Sequence, residues 1–577
     1  MSLFARLSTL GLFSQCSSDT LEGILSLGVQ RCLRGGESLF DQGEPSRDFY
    51  LVLSGRLIIV RKSTSTEDVV GYVRAGEPVG EMSLMSGDLR TASAFALRDT
   101  ELLAFSRDAF EEMMARYADF AAGLAKTILE RARRPSASLQ LAPPRVFALV
   151  ASSPSIDIES IAAELGSRLK EQLEDICVLN DFEDDEAAGA ASFRAGDVGA
   201  QAVLLPCRIG TSAWYKFALR HADRIFLFAR RDARPPSPLP LSPDLTSPAR
   251  RFRLVDLVAI HEGQGDISLG DWVRVADANR VFHWTDDTAK DRLARAISGR
   301  TLALVLSGGG ARAYSALGVY DELIERGVKV DFIGGASMGA IIGACIAMGW
   351  SRGEIEERLR DGFVQSNPLS DHVLPVVAMT RGKLVEERLE RHFGDIHIEN
   401  MPLQFYCVSS ELTRGVMRVH RRGLLRHALR ASISLPGVLP PVVDGHELLV
   451  DGAVINNFPT DVMKNFHRGL TIGVDVARQG SISAAPFVDP PNFVQWVRRN
   501  GFSSAPPVVS LLMRAATARR EVNRLEEEPD ILITPPVPGV DLRDWSKFDA
   551  SVTDGREAAI LALDAHSDLL APYCDVS

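Results

Sequence analysis

The chain has 577 residues, of which 46% are hydrophobic and 24% charged, and its formal net charge is −11. This length predicts several domains, and the composition is that of a soluble globular protein. The acidic balance argues against bulk nucleic-acid binding.

The cysteines and the apolar stretches indicate a cytoplasmic protein. Seven cysteines are spread along the chain without a C-x-x-C pair, which favours reduced thiols and argues against a zinc site. The first residues lack the sustained apolar segment of a signal peptide. Residues 332–350 carry no charge, but their glycines favour a buried strand and helix over a membrane span. We therefore predict no transmembrane segment.

The first part of the chain is predicted to be a small β-barrel with flanking helices. Short β-like runs at 37–40, 48–53 and 55–60 are separated by glycines, a pattern typical of small all-β domains. The sequences LFDQGE at 39–44 and FYLVLSG at 49–55 closely resemble those of a cyclic-nucleotide-binding domain.

A second pair of sequences, GEMSL from Gly80 and RTA from Arg90, resembles the phosphate cassette of that domain family. The resemblance implies that Glu81 accepts a hydrogen bond from the ribose 2′-OH. Arg90 would make a charge-assisted contact with the cyclic phosphate, and backbone amides near Gly80 would add donors. The ligand implied is cyclic AMP or cyclic GMP. The predicted site comprises Gly80, Glu81, Met82, Ser83, Arg90 and Thr91.

The middle of the chain is predicted to be an α/β domain. Residues 146–151 and 225–229 read as strands and 158–172 as a helix. A transcription factor of the cyclic-AMP-receptor type would need a helix-turn-helix at this point, and the first of these strands excludes it. The segment resembles the connection between sensor and hydrolase in the neuropathy target esterase family. The proline-rich stretch 235–248 is predicted to be an exposed loop.

A serine motif follows farther along the chain. Gly335, Ala336, Ser337, Met338 and Gly339 lie between a strand-like run at 328–333 and a helical run at 340–348. Strand, turn and helix form the context in which G-x-S-x-G exposes a nucleophilic serine. Both glycines are needed because a side chain would collide with the neighbouring backbone or with substrate.

A glycine-rich loop precedes this serine. The strand-like run 302–306 ends in SGGGAR at 307–312, and a helical run follows at 313–326. Free amides at the positive end of a helix suit a phosphate or the oxyanion of a tetrahedral intermediate. A dinucleotide-binding loop is the alternative, but it would need glycine where this chain has Ala313. We favour the oxyanion hole.

A third motif, after the serine motif and the glycine-rich loop, contains an aspartate. The apolar run 448–450 leads into Asp451, Gly452 and Ala453. An aspartate in such a turn is usually structural. The three motifs in this order, however, resemble the patatin-like phospholipase family from residue 299 onward. Residues 430–437 also resemble that family's segment ahead of the aspartate strand.

The resemblance implies a Ser–Asp dyad that works without histidine. Ser337 would be the nucleophile and Asp451 the base. The oxyanion loop would consist of Gly308, Gly309, Gly310 and Arg312. A Ser-His-Asp triad is the alternative, and His467 and His566 are the histidines that follow the aspartate. Neither lies in a recognisable loop motif.

Together these features predict a multidomain α/β protein. Its expected parts are a cyclic-nucleotide-binding domain at 1–138, a connecting domain at 139–296 and a patatin-like hydrolase domain at 297–577. The implied activity is hydrolysis of a phospholipid or lysophospholipid, without metal or catalytic cofactor, at the inner face of the membrane. Residues 493–499 mix aromatic and basic side chains as an interfacial helix would. A signalling or interaction protein with secondary hydrolase activity is the alternative.

Overall fold

The structure is a computed structural model. It describes residues 16–62, 67–133, 144–181, 200–241, 254–261, 269–373, 376–476 and 528–574, with a few isolated positions elsewhere. By its contacts the chain divides into two compact units. One contains Met1–Glu262 and Val275–Asn279, and the other contains Gly263–Arg274 and Arg280–Ser577.

The first unit begins with an antiparallel sheet flanked by helices, as predicted for the sensor. The longest strands, β3 and β6, pair along most of their lengths; β1 and β2 pair with β6, and β4 and β5 with β3. The strands are β1 (Val29–Leu33), β2 (Ser38–Phe40), β3 (Asp48–Lys62), β4 (Glu67–Arg74), β5 (Pro78–Val79) and β6 (Ser93–Ser106). The helices are Ser18–Leu27, Glu81–Ser86, Arg107–Arg116 and Ala118–Arg133.

The prediction of two strands at 48–53 and 55–60 was wrong, because β3 runs through both. Gly55 has φ +95°, and the pairing of β3 with β6 shifts register on either side of it. A Cβ at this position would lie 2.5 Å from the Cα of Thr100. The glycine therefore marks an irregularity within one long strand, which a pattern of apolar runs does not distinguish from a turn.

The connecting segment forms a parallel sheet in the same unit. Within this unit its strands follow the order β11-β10-β7-β9-β8. Their bounds are β7 (Val146–Ala151), β8 (Ile176–Val178), β9 (Ala202–Arg208), β10 (Arg224–Arg230) and β11 (Leu254–Ile260). Helices Ile158–Lys170 and Ala213–His221 accompany them. The central strands are buried along almost their whole length, as expected for a parallel sheet covered on both faces. The predicted proline-rich loop is described only as far as residue 241.

Three elements follow in the chain before the hydrolase sheet: the helix Gly270–Ala276, the strand β12 (Arg280–Trp284) and the helix Asp287–Ser298. Asp286 caps the last of these, because its carboxylate accepts from the Ala289 amide at 2.9 Å.

The second unit is built on a mixed sheet in the order β17-β18-β15-β14-β13-β19-β20, with β16 also paired to β15. The strands are β13 (Leu302–Leu306), β14 (Phe332–Ala336), β15 (Gln404–Glu411), β16 (Val416–His420), β17 (Val442–Asp444), β18 (Glu447–Asp451), β19 (Leu470–Val474) and β20 (Ile531–Ile533). The α-helices are Ser315–Glu325, Ser337–Ala347, Arg352–Leu359, Lys383–Phe393, Leu425–Ser432, Thr460–Phe466, Phe548–Ala565 and Ser567–Leu570.

Strand β14 lies nearer the serine than the predicted run 328–333. It contains Gly334, where a Cβ would overlap the ring of Tyr406 on the neighbouring strand. The glycine pair 334–335 therefore belongs to the strand, and the strand ends directly at Ser337. In the described part of the chain no helix is both long enough and apolar enough to cross a bilayer.

Candidate active site

Ser337 lies at the turn between β14 and the helix Ser337–Ala347, which we call the serine helix. Its φ is +53°, a left-handed conformation that costs a non-glycine residue roughly 1–2 kcal/mol. A Cβ on Gly339 would lie 2.5 Å from the Ser307 carbonyl oxygen, and one on Gly335 would lie 2.9 Å from the Gly339 backbone. Both glycines thus permit the sharp turn that presents the Ser337 hydroxyl.

The Ser337 hydroxyl is hydrogen-bonded to Asp451. Its Oγ donates to Oδ2 of the carboxylate at 2.7 Å, and the other carboxylate oxygen accepts from the Ala453 amide at 2.9 Å. Asp451 is 2% exposed. Burial raises the pKa of Asp451 to about 7, although the hydrogen bonds from Ala453 and Ser337 oppose the rise. The carboxylate is therefore a much better base than an exposed aspartate.

Sheet topology explains why residues 114 positions apart meet. Residues 407–411 of β15 pair with β16, so the opposite edge of β15 must hold both β14 and β18. Strand β14 runs parallel to β15 and ends opposite Val408, whereas β18 runs antiparallel and ends with Asp451 opposite Ser409. The carboxyl ends of β14 and β18 therefore meet head to head along one edge.

The segment 430–434 is hydrogen-bonded to the carboxyl ends of both β14 and β18. The Ser432 hydroxyl accepts from the Ser337 amide at 3.0 Å and donates to the Val408 carbonyl at 2.7 Å. Two residues later, the carbonyl of Ser434 accepts from the Asp451 amide at 2.9 Å. The buried Arg430 donates to the Ser434 hydroxyl at 2.6 Å. Sequence reasoning noticed this segment only by resemblance and assigned it no contact.

The glycine-rich loop lies beside the serine. A Cβ on Gly308 would lie 2.8 Å from the Cβ of Ser337. The Gly308 amide, however, already donates to the Asn457 carbonyl at 3.2 Å, and the Asn457 side chain donates back to the Gly308 carbonyl at 3.0 Å. Within the described residues the amides of Gly309 and Gly310 have no hydrogen-bond partner. These two amides are the available donors of the predicted set.

Arg312 and its neighbours attach the glycine-rich loop to a distant segment of the chain. Its Nε donates to the Val540 carbonyl at 2.7 Å, and the neighbouring Ala311 amide donates to the Leu542 carbonyl at 2.9 Å. Gly310 has φ +56°, and a Cβ there would overlap the Leu542 carbonyl oxygen. The loop is therefore fixed against residues 540–542, a partner more than two hundred positions away that sequence reasoning did not identify.

The two histidines considered for a triad lie elsewhere. His467 bonds to the Thr301 carbonyl at 3.1 Å, at the beginning of β13, and His566 bonds to the Ala562 carbonyl at 2.8 Å. A third histidine, His420, bonds through Nε2 to the Ser409 hydroxyl at 2.7 Å. Ser409 is paired with Asp451 across the sheet, and among the described residues His420 makes no hydrogen bond to Ser337.

The predicted nucleotide site is assembled around Gly80. Glu81 and Ser83 are buried at the start of the short helix Glu81–Ser86, while Met82 and Thr91 are exposed. Gly80 has φ +88°, and a Cβ there would lie 2.5 Å from Nη1 of Arg90. The structure thus brings Gly80, Glu81 and Arg90 together.

Arg90 is held by the backbone and by an aromatic ring. Its guanidinium donates to the carbonyls of Gly80 at 2.8 Å and Asp48 at 2.6 Å, and it stacks over Phe40 at 4.1 Å. Its Nε is buried without a hydrogen-bond partner in the described part of the chain. A charged group with an unused donor fits an anionic ligand. No cluster of three or more metal-binding side chains occurs among the described residues.

Two known families match ranges of this chain. The patatin-like phospholipase family matches residues 304–464, and the cyclic nucleotide-binding domain matches residues 30–117. The fold and site therefore place the chain in the class of patatin-like phospholipases, which are carboxylic-ester hydrolases acting on lipids.

The relatives define the family more narrowly. An uncharacterized NTE family protein of Mycobacterium tuberculosis is 30% identical over 97% of this chain and 96% of its own length. Human patatin-like phospholipase domain-containing protein 6 is 28% identical, covering 90% of this chain and 43% of the human protein. The chain belongs to the NTE, or neuropathy target esterase, family.

Among solved structures, the catabolite activator protein of Thermus thermophilus is 28% identical over 28% of this chain and 70% of its own, with a TM-score of 0.21.

Proposed function

We propose that this protein is a serine lipid esterase that hydrolyses carboxyl-ester bonds through the dyad of Ser337 and Asp451. The observation that carries the proposal is the 2.7 Å hydrogen bond from the Ser337 hydroxyl to a buried carboxylate. A serine hydroxyl needs a neighbouring base to act as a nucleophile. A pKa of about 7 for Asp451 suits that base, since general catalysis is most effective when the pKa lies near the working pH.

The proposed reaction has two halves. Ser337 Oγ attacks the ester carbonyl carbon, its proton passes to Asp451, and the carbonyl electron pair becomes an oxyanion. As this intermediate collapses, the bond to the alcohol oxygen breaks and the leaving alcohol takes the proton from Asp451. Water then attacks the acyl-enzyme and gives a proton to Asp451; collapse expels Ser337 Oγ, which recovers that proton, and releases the fatty acid.

The amides of Gly309 and Gly310 are assigned as the oxyanion donors. They precede the positive end of a helix, where a developing negative charge is stabilised. Removing a single such donor typically costs about 100- to 1000-fold in rate. In this proposal Gly308 has a structural role, because its amide is bonded to Asn457.

The substrate proposed is a phospholipid or lysophospholipid at a membrane surface, with the protein cytoplasmic and peripheral. The residues suggested for interfacial contact, 493–499, lie almost entirely outside the described part of the chain. The division at 138 and 296 also stays a proposal; the contacts group residues 1–262 into one unit and residues 280–577 into the other.

Labelling with a fluorophosphonate tests the dyad. We expect the wild-type protein to be labelled once, at Ser337, and Ser337→Ala to lose both labelling and ester hydrolysis. Ser370→Ala, which changes an exposed serine of the same unit, is the matched control and should keep both. A wild-type protein that resists labelling would instead favour the interaction protein with secondary hydrolase activity. If the wild-type protein is labelled, mass spectrometry of the products from a mixed lipid extract would identify the substrate.

A second proposed function is binding of cyclic AMP or cyclic GMP, with control of the esterase. The buried Glu81 and Arg90 beside Gly80 support it. The esterase rate should differ between saturating nucleotide and none. Equal rates at saturation would exclude regulation even where binding is measured.

A further inference from the structure

Ser432 is hydrogen-bonded to the backbone of the nucleophile, although it belongs to a distant part of the chain. It is the last residue of the helix Leu425–Ser432 and is fully buried. Its hydroxyl accepts from the Ser337 amide at 3.0 Å and donates to the Val408 carbonyl at 2.7 Å. A hydroxyl has one proton, and a carbonyl oxygen can only accept. The proton therefore points to Val408, which leaves a lone pair facing the Ser337 amide.

The Ser432 hydroxyl acts as an acceptor at the N-terminus of the serine helix. The first amides of any helix have no carbonyl partner within it, and Ser337 is the first residue of this helix. A side chain just before a helix usually accepts from one of these amides, but here that position is Ala336, which has no polar side chain. Ser432 accepts from the Ser337 amide from outside the helix, so this amide is not available to an oxyanion.

The bond to Ser432 fixes the direction of the Ser337 side chain. Ala336 is the last residue of β14 and lies opposite Val408, so the peptide group between Ala336 and Ser337 is the one that leaves the sheet. Ser337 then takes φ +53°. The cost of a left-handed residue and the gain from one hydrogen bond are of similar size. Loss of this bond would therefore let the turn relax and move the Ser337 Oγ away from Asp451.

Asp451 does not depend on the Ser432 side chain. Its amide donates to the Ser434 carbonyl at 2.9 Å, and its carboxylate accepts from the Ala453 amide at 2.9 Å. Neither bond involves the hydroxyl of Ser432. Removing that hydroxyl therefore disturbs the nucleophile and leaves the base in place.

We propose that Ser432 is a positioning residue of the hydrolysis, which orients Ser337 for attack on the ester; the proposal rests on the assignment of Ser337 as nucleophile. The attacking oxygen must lie about 3–3.5 Å from the carbon that it attacks, and a displacement of about 1 Å can lower the rate about 100-fold. Because Ser432 acts through the Ser337 backbone, its loss should slow bond formation at Ser337 without changing the pKa of the base.

The rate of reaction with a fluorophosphonate tests this role. We expect folded Ser432→Ala to react at least about tenfold more slowly than wild type, which corresponds to about 1.4 kcal/mol in the barrier. Thr380→Val is the matched control, because it removes a buried hydroxyl that donates to the Val438 carbonyl at 2.7 Å. This control should react at the wild-type rate. Where Ser432→Ala does not fold, Ser432→Cys provides the same test with a thiol that hydrogen-bonds only weakly.

The outcomes separate this proposal from that of the dyad. A wild-type rate in the folded Ser432 variant, or an equal fall in Thr380→Val, would overturn the positioning role. Absence of labelling in the wild-type protein would instead contradict the assignment of Ser337 as nucleophile.

The pH dependence of ester hydrolysis distinguishes positioning from a general loosening of the site. On a soluble p-nitrophenyl ester, Ser432→Ala should lower kcat/KM at least about tenfold at every pH. The midpoint of the profile should stay at the wild-type value, since Asp451 keeps the burial that raises its pKa to about 7. A midpoint shifted toward that of an exposed aspartate would show that water has reached Asp451, and it would contradict a role confined to Ser337.

Discussion

Individual residues at the active site combine backbone strain with an unfavourable buried charge. Ser337 has a left-handed conformation and Asp451 is a carboxylate removed from water. Both features oppose folding, and they persist because β14, β18 and the segment 430–434 constrain them from several directions. Strain of this kind is concentrated at functional sites. Ser337→Gly, which relieves the strain, and Asp451→Asn, which removes the buried charge, should therefore be less costly to the fold than their loss of contacts implies, while both remove activity.

The strain at Ser337 can be measured with two substitutions. Ser337→Gly and Ser337→Ala both remove the hydroxyl, but only glycine adopts φ +53° without a steric cost. We expect Ser337→Gly to be more stable than Ser337→Ala by about 1 kcal/mol. Urea denaturation of the two inactive variants measures the difference. Equal stabilities would show that the turn is not strained.

Asp451 should control the pH dependence of activity. The base must be ionised to accept the proton from Ser337, and the pKa of Asp451 is about 7. We expect kcat/KM on a soluble ester to rise tenfold per pH unit below that value and to level off above it. Replacement of His420 by glutamine should leave the profile in place. Loss of the profile in that variant would indicate a histidine base.

Asp451 should also make stability pH-dependent in the opposite sense. Its pKa is higher in the folded protein than the ordinary value of 3.8, so the folded state binds more protons between these values. Its contribution to the free energy of unfolding therefore falls as pH rises from about 4 to about 7, by at most about 1.4 kcal/mol per pH unit. Asparagine does not titrate, so Asp451→Asn does not show this fall in the free energy of unfolding. The stability of the variant relative to wild type should increase over that range, as denaturation at pH 4 and pH 8 would show.

At the scale of elements, β6 connects the predicted nucleotide site to the parallel sheet of the same unit. The strand begins shortly after Arg90 and carries Arg98, whose Nε lies 3.1 Å from the buried carboxylate of Asp223. Arg56 of β3 lies 3.8 Å from the same carboxylate, whose other oxygen accepts from the Arg145 and Val146 amides. One buried aspartate thus joins both sheets.

Removal of this carboxylate should be costly. Burial alone raises the pKa of Asp223, but Arg98, Arg56 and the two amides outweigh it and lower the pKa. Asp223→Asn removes the buried negative charge that faces the guanidinium groups of Arg98 and Arg56, and it should cost about 3–5 kcal/mol. Asp232→Asn, which breaks a partly exposed pair with Arg230, should cost much less, because solvent screens such a pair. Similar losses in both variants would contradict the assigned role.

Some of these elements could be predicted from the sequence, and others could not. The strand Leu302–Leu306 and the strand Val146–Ala151 were predicted with their observed bounds, because continuous apolar runs define buried strands. Ser337 was recognisable from its strand, turn and helix context, whereas the role of Asp451 was implied only by the resemblance of the three motifs to the patatin-like phospholipase family. The roles of Ser432 and Asn457 were not, since a serine or asparagine in a loop is common and their contacts span 95 and 149 positions. Such contacts depend on the topology of the sheet.

For the whole molecule, the two compact units allow ligand binding and catalysis to be separated. Cyclic nucleotide that binds only the folded protein should raise the stability of the unit containing Arg90. The gain is about 2.7 kcal/mol at a ligand concentration one hundred times the Kd. Calorimetry with increasing cyclic AMP or cyclic GMP measures this gain as a shift in Tm.

Two variants make the result specific to the predicted site. Arg90→Gln removes the charge that would meet the cyclic phosphate and should abolish the Tm shift. Arg61→Gln changes an exposed arginine of the same sheet and should retain it. Ser337→Ala should retain the shift as well, because the nucleophile belongs to the other unit. A Tm shift that survives in Arg90→Gln would place the nucleotide at a different site. Absence of a Tm shift in the wild-type protein and in all variants would contradict nucleotide binding by the first unit.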